Sequence, residues 1–234
     1  MGDDAAWAHL PESERSAISL ARVRRALAAR GQLGPVPEDI GDHGVTVPLV
    51  FADESRTPDR VVNAAVLAVL FEEEGEARLI LTRRSTKLRS HRGEVSFPGG
   101  RIDPGEDPPT AALREAYEEI ALDPSLVTPE GWIHPVVTVV TGSLIMPIVA
   151  STPSRPDVVA SPAEVERVFD VSLRDLADLE NFHEERWRFA DRTVPGEGDD
   201  GLTVWFFEVE GEMIWGATAR MIHELLNVVL LPWG

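Results

Sequence analysis

Two apolar runs, Val61–Phe71 and Ala77–Arg83, flank the polar stretch Glu72-Glu73-Glu74-Gly75-Glu76. Runs of strand length on either side of a glycine-containing turn predict a β-hairpin with Gly75 in the turn. Downstream, Glu94–Phe97 reads as a short strand entering Pro98-Gly99-Gly100, and residues 108–120 as a helix. Trp132–Thr141 and Leu144–Ala150 read as strands separated by Gly142. Pro162–Val171 and Leu173–Leu179 read as short helices, and His183–Phe189 with Leu202–Val209 as a second hairpin around the Pro195–Gly201 loop. Ala217–Leu231 closes the pattern as a helix. Upstream, Ile18, Leu20, Ala21, Val23, Ala26 and Leu27 form an apolar stripe that predicts a helix over 11–31, stopped by Gly31. Residues 32–60, rich in Gly, Pro and Asp, read as irregular with one short strand at Thr46–Phe51. Strands and helices without strict βαβ alternation predict an α/β (α+β) fold, a mixed β-sheet sandwiched between helices. The expected organisation is a helix and irregular arm over 1–60, packed on a domain over 61–234.

Composition narrows the chemistry. With 43% hydrophobic residues in 234, a sizeable core can be buried. The absence of cysteine excludes disulfides, thiolate metal sites and a cysteine nucleophile. A net charge of -18 opposes binding to nucleic acid through bulk electrostatics. The start MGDDAAWAHLPESER lacks a basic stretch followed by an apolar run, and no stretch approaches a membrane span in length. The expectation is a cytoplasmic protein without membrane or nucleic-acid partners, and a homodimer is compatible with it.

Asp107-Pro108 is a good helix start, an Asp cap followed by a residue that tolerates the first turn. At 100° per residue, Ala112, Leu113, Ala116, Tyr117 and Ile120 fall on one side of this helix. Glu115, Glu118 and Glu119 fall on the other as an acidic stripe, with Arg114 at its edge and able to pair with Glu118. Such a stripe is either a solvated face or a cage for a hard divalent cation such as Mg2+ or Mn2+. Solvated faces usually mix signs, and this one contains no lysine. Gly100-Arg-Ile-Asp-Pro-Gly-Glu106, seven residues, then Arg114-Glu115-Ala116-Tyr117-Glu118-Glu119-Ile120-Ala121-Leu122 resembles the Nudix box. Every charged position is present, and the one departure is Ala121, where the family usually has Gly. A left-handed backbone at that position would cost about 1 kcal/mol with Ala.

The resemblance implies that Glu115, Glu118 and Glu119, with the Gly99 carbonyl, hold the metal, and that Glu106 and Arg114 pair in a supporting role. It also implies a base or further ligand from a later loop, for which Glu164 and Glu166 are the candidates.

Residues 83–92 read Arg-Arg-Ser-Thr-Lys-Leu-Arg-Ser-His-Arg, a basic segment that runs into this box. A substrate with several phosphates needs cations near the scissile bond, and arginine offers phosphate a bidentate fork. Arg83 taken alone reads better as a surface charge. Ile80-Leu81-Thr82-Arg83-Arg84-Ser85, three residues, Arg89, three residues, Gly93, three residues, Phe97-Pro98-Gly99-Gly100 is similar to the signature of the coenzyme A pyrophosphatases within the Nudix group. Trp215–Arg220 has a weaker likeness to that group's C-terminal region. This narrower resemblance implies hydrolysis of coenzyme A or acyl-coenzyme A to 3′,5′-ADP and (acyl-)4′-phosphopantetheine. Arg84, Arg89 and His91 are the candidate substrate contacts. Gly93 is expected in a turn and Phe97 in packing. A Nudix enzyme for ADP-ribose or NADH, and a non-catalytic Nudix-fold binding module, remain the alternatives.

Overall fold

A computed structural model describes residues 5–36, 63–88, 90–138, 143–188 and 201–232. In chain order the elements begin with α1 (Glu12–Arg15), α2 (Leu20–Ala29), β1 (Ala64–Glu73), β2 (Glu76–Arg84), β3 (Val95–Ser96), β4 (Gly99–Arg101) and α3 (Pro108–Ile120). They continue with β5 (Thr128–Trp132), β6 (Val136–Val137), β7 (Leu144–Ser151), β8 (Val165–Ser172) and α4 (Leu173–Leu176). The last are β9 (Phe182–Trp187), β10 (Leu202–Val209), β11 (Glu212–Ile214) and α5 (Gly216–Leu230).

The sequence of β1 explains the architecture. It is apolar without interruption from Ala64 to Phe71, which suits a strand buried on both faces. Ala65, Leu67, Val69 and Phe71 pack with Ala111, Ala112, Ala116 and Ile120 of α3. Val66, Ala68 and Leu70 face the opposite way and share a core with Val23 and Leu27 of α2 and Ile222, Leu225 and Leu226 of α5. This period-two alternation places helices on both sides of one sheet. β1 pairs antiparallel with β2 and β4 and parallel with β7. β2 also carries β3 and β8, and β7 carries β5 and β6. The first hairpin forms with Gly75 at φ +81° in its turn. A second sheet, ordered β11-β10-β9, adds Trp205, Phe207 and Val209 to the core shared with α5.

Several boundaries differ from the sequence expectation. The helix over 11–31 is broken between α1 and α2, where buried Ile18 offers its carbonyl to the Ala77 N–H at 2.8 Å. Ser19 then recaps the chain by accepting the Arg22 N–H. Pro162–Val171 is not a helix: β8 runs from Val165, because pairing with β2 satisfies its backbone and buries Val165, Phe169 and Val171. The strand placed at Trp132–Thr141 is two strands, β5 and β6, and the chain between them contains Pro135, which has no N–H for a ladder. Thr46–Phe51, Gly142 and most of the Pro195–Gly201 loop lie outside the described residues. No helix among the described residues is long and apolar enough to cross a membrane.

Candidate active site

The site is built on α3. Asp107 caps it by accepting the Thr110 N–H at 2.8 Å, with prolines in the first turn. At the other end Ala121 adopts φ 52°, ψ 31°, and the Leu122 N–H reaches back to the Ala116 carbonyl. This is the left-handed exit for which glycine is the usual residue.

The helix lies against β1 and β4 through its alanines, which fixes where the glutamates point. Its apolar side is shifted from the expected one. Tyr117, expected on the packed side, is 58% exposed, whereas Glu119, placed on the opposite, acidic side, is only 2% exposed. The acidic stripe is therefore graded: Glu118 is exposed, Glu115 half-buried and Glu119 buried. Two glycines permit the close packing around it, Gly99 against β1 and Gly100 against Glu115. A Cβ on Gly99 would stand 2.5 Å from the Ala65 carbonyl oxygen, and one on Gly100 would stand 2.5 Å from the Glu115 carboxyl carbon.

Each carboxylate has an identified partner. The Gly99 N–H donates to Glu119 Oε2 at 3.2 Å, and Arg84 Nη1 lies 3.5 Å from Glu119 Oε1. Arg114 donates to Glu115 at 2.9 Å and lies 3.6 Å from Glu118. The same guanidinium grips Glu106 with two hydrogen bonds of 3.0 Å and donates to the Arg101 carbonyl, tying the Gly100–Glu106 loop to α3. That pairing holds Glu106 below the usual carboxylate range. Burial dominates at Glu119 and pushes its carboxyl up to about 7; the Gly99 N–H and Arg84 oppose this, and Glu115 and Glu164 reinforce it by repulsion. Burial also raises Glu115, against the pull of Arg114.

Glu164 belongs to this group through the fold. The Ser161 N–H donates to the backbone carbonyl of Glu119, and the Ser85 N–H to that of Glu164, both at 2.8 Å. The turn before β8 is thereby docked on the end of α3, where the Glu164 charge acts on both Glu115 and Glu119. Glu166 lies elsewhere, 3.8 Å from Arg83.

The NUDIX domain family matches residues 62–193, more than half the chain. The chain belongs to the Nudix family. It is 36% identical to a Photorhabdus laumondii protein called uncharacterized Nudix hydrolase NudL, over 74% of this chain and 88% of that one. It is also 36% identical to the mitochondrial Nudix hydrolase 15 of Arabidopsis thaliana, over 83% of this chain and 67% of that protein. Among solved structures, a Caenorhabditis elegans Ap4A hydrolase binary complex matches with TM-score 0.41 and 26% identity, over 50% of this chain and 83% of that one.

Within this Nudix site the expected residues divide. Glu106, Arg114, Glu115, Glu118, Glu119, Gly99, Arg84 and Glu164 come together. Arg83 turns away to buried Glu212 at 3.4 Å, as its surface-charge reading allowed only in part. His91 is exposed, has φ +54° and sits 2.8 Å from Glu94. Arg89 lies outside the described residues. Gly93 has φ +70° and Phe97 is buried, as expected. The pairing of Arg84 with Glu119 was not anticipated; the signal available was an unmatched cation preceding an over-acidic helix.

The donor set suits a hard divalent cation: three carboxylates on one helix, one of them buried with its charge incompletely compensated. As the side chains stand, however, no three acidic or histidine groups among the described residues converge into a ready cage. Arg84 and Arg114 hold the carboxylates instead.

Proposed function

We propose that the chain is a Mg2+- or Mn2+-dependent pyrophosphohydrolase acting on coenzyme A or acyl-coenzyme A. The observation that carries the hydrolase reading is Glu119, buried beside Glu115 and within the field of Glu164. A buried carboxylate among like charges is costly unless a cation resides there. Glu115, Glu118 and Glu119, with the Gly99 carbonyl, would hold that cation. When bound it would supply charge neutralisation for the diphosphate and a lowered pKa for the attacking water.

The chain's own residues do the rest. Arg114 and Glu106 keep the glycine loop against α3 so that the Gly99 carbonyl and the glutamates share one cleft. Glu164, docked on the helix end, is the candidate general base, favoured over Glu166 because Glu166 is engaged with Arg83. Arg84 enters the same cleft from β2 and is the candidate phosphate contact, with Arg89 and His91 as further candidates from the basic segment. The coenzyme A assignment rests on the motif from Ile80 to Gly100, of which Arg84 is a cationic member that lies 3.5 Å from Glu119.

The test is hydrolysis of a panel containing coenzyme A, acyl-coenzyme A, ADP-ribose and NADH with magnesium or manganese, products identified by mass. Release of 3′,5′-ADP from coenzyme A faster than cleavage of the others is the expected result. Preference for ADP-ribose or NADH would refute the substrate assignment, and no product from any of them would refute the hydrolase reading.

A further inference from the structure

Arg84 is fixed in its backbone and loose in its head group. Its N–H donates to the Glu94 carbonyl at 2.9 Å, and the next residue, Ser85, donates to the Glu164 carbonyl. Opposite it, the pairing of β2 with β8 skips one residue: Arg83 faces Arg167 and Arg84 faces Val165, leaving Glu166 as the extra residue of a bulge. Bulges beside active sites re-aim side chains. Here Arg83 goes to Glu212 and Glu166, and Arg84 to Glu119. The guanidinium of Arg84 meets Glu119 at 3.5 Å, a charge contact rather than a well-formed hydrogen bond, and its buried Nε has no hydrogen-bond partner.

We propose that Arg84 is an exchangeable internal counter-ion. In the metal-free protein it balances Glu119, and a divalent cation taking that carboxylate releases the guanidinium to an anionic oxygen of the substrate. The inference rests on the metal-site reading above. Its physical basis is competition. An arginine cannot lose its proton to escape a second cation, so guanidinium and metal cannot both hold one carboxylate without repulsion. The loose contact at Nη1 and the unpartnered Nε make the side chain, not the backbone, the part that gives way. Glu119 keeps its Gly99 N–H in either state, so removing the arginine does not leave the carboxylate unoriented.

The experiment measures Mn2+ binding by calorimetry, without substrate, in chelator-stripped wild type and Arg84→Met, alongside melting temperatures with and without Mn2+. Removing a competing positive charge should tighten the Mn2+ Kd by roughly tenfold. The metal-free melting temperature should fall and the Mn2+-induced rise should grow. An unchanged or weaker Kd in Arg84→Met would overturn the counter-ion role while leaving the metal site standing. An equal fall of both melting temperatures would also overturn it, marking Arg84 as a structural contact only. Failure of the wild type to bind Mn2+ would overturn the metal-site reading itself. Should Arg84→Met not fold, Arg84→Gln is read in the same way.

Discussion

Replacing Ala121 with glycine should stabilise the protein. The residue ends α3 with φ 52° and ψ 31°, and its side chain is exposed, so deleting the Cβ removes strain without removing packing. The left-handed conformation costs a non-glycine residue about 1–2 kcal/mol. Glycine in turn widens the unfolded ensemble and gives back about 0.4–1 kcal/mol. The difference is a net gain of roughly 0.5–1 kcal/mol. For a chain of this length that corresponds to a rise of about 1–4 °C in melting temperature. Thermal unfolding followed by circular dichroism, in excess chelator, measures it. Ala121→Val is the counterpart, because a β-branched side chain tolerates positive φ poorly, and it should lower the melting temperature by more than the glycine raises it. A melting temperature for Ala121→Gly at or below wild type would refute the account of the helix exit.

Glu119→Gln should reduce turnover by about a hundredfold or more, the scale of losing one transition-state-stabilising group, while the protein still folds, because an amide oxygen can accept the Gly99 N–H in place of the carboxylate. Steady-state kinetics beside a melting curve decide this, and unchanged turnover would remove Glu119 from the site. Arg89→Ala should lower kcat/KM on coenzyme A by roughly one to two powers of ten, the worth of a hydrogen bond to a charged group. If Arg89 reads the 3′-phosphate, dephospho-coenzyme A loses much less; if both lose equally, Arg89 acts on the shared diphosphate, and no loss on either would make the segment a solvated loop. A further prediction concerns pH. Glu130 is buried and accepts from Arg24 Nε at 2.8 Å and from Ser151, and these bonds hold its carboxyl below the usual range despite burial. A depressed folded pKa contributes stability that is present above the unfolded value and is lost as pH falls through the folded one. Melting temperature should therefore drop more steeply on acidification below the ordinary carboxylate range, about 4.3, in wild type than in Glu130→Gln. Parallel curves would show that the pair contributes nothing.

What the sequence disclosed is what local rules and periodicity encode. The hairpin around Gly75 and the bounds of α3 are short-range patterns, and the Glu106–Arg114 pair follows from the resemblance to the Nudix box; all three are present in the fold. The break at Ile18 could not be read locally, because its cause is the Ala77 N–H, which lies far along the chain. For β8 the partner strand β2 outweighed the helical reading of Pro162–Val171. On α3, the 100° wheel put Tyr117 on the apolar side and Glu119 on the opposite one, but a wheel records angle and not the depth to which neighbours cover each position. The docked turn at Ser161–Glu164 and strand β4 supply that cover. Neither shares a sequence window with Glu119.

The contact between α2 and α5 has a consequence for how the chain matures. Arg22 and Arg30 of the α2 region donate to carbonyls at the end of α5, among them Val228, Val229 and Asn227. Trp7 sits edge-on against Phe182. A ribosome delivers these partners roughly two hundred residues apart, at about 5–20 residues per second. The sheet, with α3 over it, can be complete while α2, which already has β1 to pack on, still lacks α5. The core that one face of β1 shares with α2 then stays incompletely covered until α5 emerges. During that interval the nascent chain carries α3 already seated on one side of the sheet and an incompletely covered apolar surface on the other, so the emergence of α5 sets the moment at which that surface is shielded from aggregation.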